Sequence, residues 1–192
     1  MGNLKSEWIA ELSAEDAKER QHAGARIFAA GRSFAEPALL HWQTHDEFAG
    51  LLGEQPMVTI GLAVKPETFA RIRQANGWPR LAEVPAEQDA AEFELHFEGR
   101  VALDVLTSRE PDGSGAIAKF LSKIGEGVQQ VEFRCSNVDR ATAILREHFG
   151  VTAVYPETKP GADGTRVNFF LVTGANGKKV LIELYEPPPI RC

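Results

Sequence analysis

One pattern of strand-like and helical segments occurs twice in the last two-thirds of the chain, and it restricts the fold more than any other feature. The first copy, residues 57–108, predicts a helix at 66–75 and strands at 57–64, 81–84, 91–97 and 100–107. The second copy, residues 127–187, predicts a helix at 138–148 and strands at 127–134, 152–155, 166–172 and 179–185. Two βαβββ modules of this size predict an α+β fold in which a cupped, eight-stranded mixed sheet surrounds a cleft.

The first 55 residues differ from the rest and predict a helical extension. Ser13 lies three residues before Asp16, a spacing typical of a helix start. Apolar residues then recur at helical spacing at Ala23, Ile27, Ala30 and Phe34. Pro37 predicts a second helix at 37–43, and Thr44 predicts the cap of a third helix at 46–52. We therefore expect an extension at 1–55 and one domain at 56–192.

Charge and hydrophobicity argue against several classes of partner. The chain has 21 Lys and Arg residues against 27 Asp and Glu residues, a net charge of -6 at pH 7, and it contains no basic run. This charge argues against nucleic acid and against an anionic membrane surface. No apolar segment approaches the roughly 20 residues of a membrane helix, and the N-terminus lacks the features of a secretion signal. We therefore expect a cytoplasmic protein with no nucleic acid partner and no membrane partner.

Alternation along the predicted strands separates an apolar face from a polar face. In the strand at 91–97, for example, Phe93 and Leu95 point to one side while Glu92 and Glu94 point to the other. The predicted helices can cover the apolar faces, which leaves the polar faces to line the cleft. These faces carry Glu92, Glu94, His96, Asp104, Gln130, Glu132, Arg134 and Glu183.

Several segments resemble methylmalonyl-CoA epimerases, members of the vicinal oxygen chelate superfamily that also includes glyoxalases and bleomycin-resistance proteins. The second copy carries the more specific part of the resemblance, and the first copy agrees with it; the matching segments are 60–65, 86–92, 116–121, 125–128, 160–169 and 180–184. The resemblance covers about residues 57–187 and leaves 1–50 without a counterpart. It implies paired βαβββ modules, a divalent metal, a small-molecule ligand in the cleft, and a homodimer as a common assembly; the sequence leaves the oligomeric state open.

The resemblance also implies roles for individual residues. Glu92 and Glu183 fall on the acid/base pair, which must flank one carbon atom because a proton α to a thioester carbonyl leaves on one face and returns on the other. The metal positions correspond to Thr59, Asp104, Gln130 and Glu183. Thr59 and Gln130 replace the expected histidines, so the site offers oxygen donors alone, a set that suits a harder ion and binds it weakly.

Two functions of different classes follow from these residues, and both stay open. One is a divergent superfamily member with a degenerate metal site, which binds a small molecule through Gln130, Arg134 and His96. The alternative is a metal-assisted acyl-CoA epimerase, isomerase or lyase that uses Glu92 and Glu183. A third reading is a structural protein whose cleft is filled by the N-terminal helices. For His96, replacement of a missing metal ligand competes with a position at the rim, paired with a carboxylate.

Overall fold

The computed structural model describes residues 4–174 and 177–189, and this part of the chain forms a mixed α+β fold. Six helices span Ser6–Glu11 (α1), Ala17–Trp42 (α2), Asp46–Leu52 (α3), Pro66–Ala75 (α4), Ala116–Ile124 (α5) and Val138–Phe149 (α6). Seven strands span Val58–Ala63 (β1), Ala90–Phe97 (β2), Val101–Ser108 (β3), Gly127–Arg134 (β4), Lys159–Pro160 (β5), Arg166–Thr173 (β6) and Lys179–Glu186 (β7). The end of the predicted domain, at 190–192, lies outside the described residues.

The seven strands form one curled, open sheet in the order β2-β3-β1-β4-β7-β6-β5. Within each half, the first long strand pairs in parallel with the last one: β1 with β3, and β4 with β7. The remaining long strands, β2 and β6, form antiparallel pairs with β3 and β7. The halves join through the antiparallel pair β1–β4 at the centre. Polar residues of both halves therefore reach one concave face.

The predicted count of eight strands is wrong, because two predicted strands are loops. Residues 81–84 make one backbone bond to β2, from the Ala82 N–H to the Glu92 carbonyl, while Glu83 exchanges hydrogen bonds with Asp163. Residues 152–155 form an isolated bridge between Ala153 and Phe170. Prolines at 79, 85 and 156 flank these segments and restrict pairing, since proline lacks an N–H donor. The short strand β5 was not predicted.

Helix α2 is one continuous helix of 26 residues, so the predicted start at Ser13 and the separate helix at 37–43 are both wrong. The Asp16 side chain caps the helix by accepting a hydrogen bond from the Lys18 N–H at 2.9 Å. Pro37 lies inside the helix, where it removes one backbone bond. Buried residues on both sides of it, such as Ala35 and Leu39, anchor the helix to the core and compensate for that loss.

The N-terminal helices pack on the convex face of the sheet. Gly31 lies so close to the Ile60 side chain, and Gly24 to Phe97, that a methyl group at either glycine would overlap its neighbour. Helix α3 has the predicted range, although its cap is His45 rather than Thr44. In the described part of the chain, no helix is both long enough and apolar enough to cross a membrane.

Candidate functional site

The concave face of the sheet encloses a cavity of about 760 Å³. Strands β2, β3 and β4 line it together with β6 and β7, and helix α5 and the loops at 79–88 and 154–165 complete its walls. None of the described residues before Pro79 lines this cavity. The reading in which the N-terminal helices fill the cleft is therefore wrong.

Strand pairing brings the predicted polar residues together on the cavity floor. Asp104 lies opposite Glu94 across β2–β3, and Glu132 lies opposite Glu183 across β4–β7. Glu92 and Gln130 also line the cavity. The exposed fraction is 8% for Asp104 and 7% for Glu132, so these carboxyl groups have lost most of their contact with water.

Gln130 bridges two of the carboxyl groups. Its Nε2 atom donates to Glu183 Oε2 at 2.6 Å and to Glu132 Oε1 at 3.1 Å. Gly61, the partner of Gln130 across β1–β4, leaves the room for this arrangement, because a Cβ atom there would lie 2.4 Å from Gln130 Cγ. The amide thus occupies the space between Glu132 and Glu183.

Burial raises the pKa of four acids on the cavity floor, Glu92, Asp104, Glu132 and Glu183. The pKa of Glu92 rises to about 7, chiefly through burial and then through Asp163 and Glu94. The pKa of Glu132 rises to about 8 through burial, although the Gln130 hydrogen bond opposes the shift. The pKa values of Asp104 and Glu183 lie well above their usual range, because burial is reinforced by the surrounding carboxyl groups. Much of this cluster is therefore protonated near neutral pH.

Gln129 also lines the cavity, although simple alternation places it on the opposite face to Gln130. The register between β1 and β4 shifts at this point, since Gly61 pairs with Gln130 and Leu62 pairs with Val128. Gln129 is the extra residue of this bulge, and a bulge redirects side chains. No feature of a single sequence reveals it. The Oε1 atom of Gln129 and the Oδ1 atom of Asp104 are both buried and lack a hydrogen-bond partner.

The other residues expected in the site lie at its edge or outside it. His96 lines the rim with its side chain 70% exposed, and its Nε2 atom lies 2.8 Å from Glu94 Oε2. Arg134 is exposed and is not among the lining residues; its Nη1 atom lies 3.5 Å from Met57 Sδ. Thr59 is buried and does not line the cavity, although it pairs with Glu132 on the neighbouring strand.

Two loops meet over the cavity and hold each other. The Arg80 guanidinium donates to both carboxylate oxygens of Asp163, at 3.1 and 2.5 Å, and the Glu83 N–H donates to Asp163 Oδ1 at 2.9 Å. Gln88 Nε2 adds a hydrogen bond of 2.6 Å to the Pro160 carbonyl. We call this set of contacts, Arg80 and Glu83 with Asp163 and Gln88 with Pro160, the roof latch. It joins a loop of the first half of the sheet to a loop of the second half.

The donor set does not fit a divalent metal of the kind that imidazoles bind. Among residues 4–174 and 177–189, no group of three or more His, Cys, Asp or Glu side chains is arranged to hold a metal ion. Thr59 and Gln130 add a hydroxyl and an amide, and the amide N–H groups of Gln130 point at the two carboxyl groups that would otherwise face a cation.

Comparison with known proteins finds similar solved structures. A methylmalonyl-CoA epimerase from Mycobacterium tuberculosis is 33% identical with a TM-score of 0.55, and the match covers 68% of this chain and 87% of that one. A methylmalonyl-CoA epimerase variant from Streptomyces coelicolor, in complex with 2-nitronate-propionyl-CoA, is 27% identical with a TM-score of 0.56, covering 70% and 99%. A hypothetical protein from Bacillus halodurans C-125 is 25% identical with a TM-score of 0.56, covering 70% and 95%.

Neither a family model nor a curated protein matches the chain. The structural matches span most of the length of each similar protein, so they concern a whole fold rather than a shared fragment.

Proposed function

The chain belongs to the methylmalonyl-CoA epimerase family, and we propose that it is a divergent member with a degenerate metal site, whose cavity binds a small molecule. The observation that carries this proposal is the bridge of Gln130 between Glu132 and Glu183. An amide supplies the donors that Glu132 and Glu183 require, so this pair of acids is satisfied without a metal ion. The cavity of about 760 Å³ falls within the size range of small-molecule sites.

Metal content and ligand binding test this proposal together. We expect protein purified without added metal to carry no stoichiometric ion, and titration with cobalt, nickel, manganese and magnesium to show weak binding. A fragment library screened by NMR in the presence of EDTA should yield ligands that shift the backbone signals of β3 and β4. A stoichiometric, tightly held metal would overturn the proposal.

A pair of variants on helix α5 assigns the bound fragments to the cavity. Ala116 lines the cavity, whereas Lys119 lies on the same helix outside it. We expect Ala116→Trp to obstruct fragment binding and Lys119→Trp to leave it unchanged. Equal binding to both variants would place the ligands elsewhere and count against the proposal.

A second candidate function is an acyl-CoA epimerase that uses Glu92 and Glu183, and the pKa values favour it. A pKa of about 7 leaves Glu92 partly ionised at neutral pH, while burial raises the pKa of Glu183 well above its usual range and favours the protonated form of that group. One residue could then accept a proton from a substrate carbon while the other donates one, which is the requirement of an epimerisation.

Deuterium exchange distinguishes the two candidates. Methylmalonyl-CoA is the substrate bound in a related epimerase, and its C2 proton should stay unexchanged in D2O with this protein if the cavity is a binding site. Incorporation of deuterium that disappears in Glu92→Gln would establish the enzymatic alternative. A location in the cytoplasm and a homodimer both stay predictions, and size-exclusion chromatography with light scattering tests the dimer.

A further inference from the structure

We propose that the ligand of the cavity carries an ammonium group, which Asp104 and Gln129 receive through their unpaired oxygen atoms. This inference rests on the proposed function, because it specifies the chemical class of the small molecule. It concerns the floor of the cavity at Gly61 of β1, a residue without a side chain, where β3 with Asp104 and the β4 bulge with Gln129 flank β1 on opposite sides.

The two unpaired atoms are both acceptors. Asp104 Oδ1 and Gln129 Oε1 are buried and have no hydrogen-bond partner, and both residues line the cavity at 8% exposure. A buried polar atom without a partner costs free energy, which a ligand recovers when it supplies the missing group. Two vacant acceptors require a ligand that brings N–H or O–H donors.

The acids around these acceptors favour a cation among such donors, because an ammonium group stabilises their ionised forms. Glu92, Glu132 and Glu183 surround Asp104 closely enough to affect its pKa. The lining residues within the described ranges include two with a positive charge, Arg80 and Lys159, and both lie in the roof loops. Arg80 is paired with Asp163, and Lys159 lies over the Tyr155 ring. No basic side chain described here therefore occupies the floor.

An organic ammonium group suits this floor better than a metal ion does. Gln130 already directs its amide N–H groups toward Glu132 and Glu183, and the described acids are not arranged around one point. An ammonium group has three N–H donors, so it can donate to a carboxylate oxygen and to a neutral amide oxygen at the same time. The cavity walls offer apolar and aromatic surface to the rest of the ligand, at Leu106, Ile117, Tyr155 and Phe169.

Matched ligands test this inference. The probes are phenylalkyl and alkyl chains of graded length, each prepared as an amine, an alcohol and a carboxylate, titrated by calorimetry at pH 8 in EDTA. We expect the amine of the best-fitting chain to bind about tenfold more tightly than its alcohol, the effect of one charge-assisted hydrogen bond.

Two variants assign that preference to the floor. Asp104→Asn keeps the shape of the side chain and should remove most of the tenfold preference for the amine. Asp112→Asn removes a carboxylate from an exposed loop outside the cavity and should leave the preference intact.

The alternative outcomes separate the two proposals. If alcohols or carboxylates bind in the cavity more tightly than amines, or if Asp104→Asn binds amines like the wild type, the ammonium inference is wrong and small-molecule binding stands. If manganese or calcium displaces the amine with higher affinity, the floor is a metal site and both proposals fail. Absence of binding by every probe counts against both.

Discussion

The Nε2 atom of Gln130 lies 2.6 Å from Oε2 of Glu183, and the same nitrogen reaches Glu132 on its own strand. An amide group therefore separates two buried carboxyl groups that face each other across β4–β7. Each acid accepts a hydrogen bond, and neither has to be neutralised by a cation. Gln130 is therefore the donor that satisfies both buried acids.

Removal of the bridge should destabilise the protein. Gln130→Met keeps the length of the side chain but leaves Glu132 and Glu183 without their donor, and we expect a loss of about 1–3 kcal/mol in the free energy of unfolding. Urea denaturation at pH 7 measures it. Gln88→Met removes a hydrogen bond to the Pro160 carbonyl at the solvent-exposed rim and should cost less. A larger loss for Gln88→Met would contradict the role given to the bridge.

Restoration of imidazoles should create cobalt binding. Thr59 and Gln130 lie on the adjacent central strands and stand where the resemblance places histidines. We expect the double variant Thr59→His/Gln130→His to bind cobalt more tightly than the wild type, since imidazole is a better ligand for this ion than hydroxyl or amide oxygen. Visible absorbance of bound cobalt measures the effect. Thr59→Ser/Gln130→Asn is the control, and equal affinity in both variants would argue against a site at these positions.

The sequence was sufficient to predict several residues on the cavity floor, although not Gln129. Side chains alternate along a strand, so the positions of Glu92, Asp104, Gln130 and Glu183 on one face followed from the pattern of apolar residues between them. Helix α4 also has its predicted bounds, because the fixed backbone angle of Pro66 suits the first turn of a helix.

The features that the sequence did not reveal depend on contacts between distant residues. Gln129 reaches the cavity through a bulge in the β1–β4 register. Residues 81–84 form hydrogen bonds with Asp163, about eighty positions later, instead of a full strand. Helix α2 passes through Pro37 because the sheet buries the residues on both sides of it. Local propensity contains none of this information.

Stability should fall as the pH rises from about 4.5 to about 8. The folded-state pKa of Glu132 is about 8 against an ordinary value of 4.5, so the folded protein binds this proton more tightly than the unfolded chain does. The resulting stabilisation is complete below pH 4.5 and is lost as the pH rises through 8. A tenfold difference in proton affinity between the folded and unfolded states corresponds to about 1.4 kcal/mol of stability. Urea denaturation at several pH values measures the slope.

Replacement of Glu132 isolates its share of that slope. Glu132→Gln keeps an oxygen that can accept from Gln130 and removes the ionisable group, so we expect a shallower fall in stability between pH 5 and pH 8. Glu98→Gln changes an exposed residue on the loop after β2 and should retain the wild-type slope. A wild-type slope in Glu132→Gln would show that this carboxyl group titrates normally.

Rupture of the roof latch should open the cavity without unfolding the protein. The Arg80–Asp163 pair is largely exposed, so Arg80→Ala should cost no more than about 1 kcal/mol in stability. We expect faster amide hydrogen exchange at 80–88 and 159–165, since the loops then lose their mutual contact. Arg140→Ala breaks a comparable exposed pair with Glu47, away from the cavity. Equal acceleration in the roof loops of both variants would exclude a latch.

The contact between helix α2 and the sheet should tolerate no side chain at position 31. A Cβ atom on Gly31 would lie 2.6 Å from Cγ2 of the fully buried Ile60, so Gly31→Ala should destabilise the protein by about 1–3 kcal/mol despite the helix propensity of alanine. Gly50→Ala, in helix α3 with no atom within 4 Å, should instead stabilise it by about 0.5–1 kcal/mol. Because Ile60→Ala removes the overlapping atoms, the double variant Gly31→Ala/Ile60→Ala should lose less than the sum of the single losses. Strict additivity in thermal denaturation would mean that α2 does not press on Ile60.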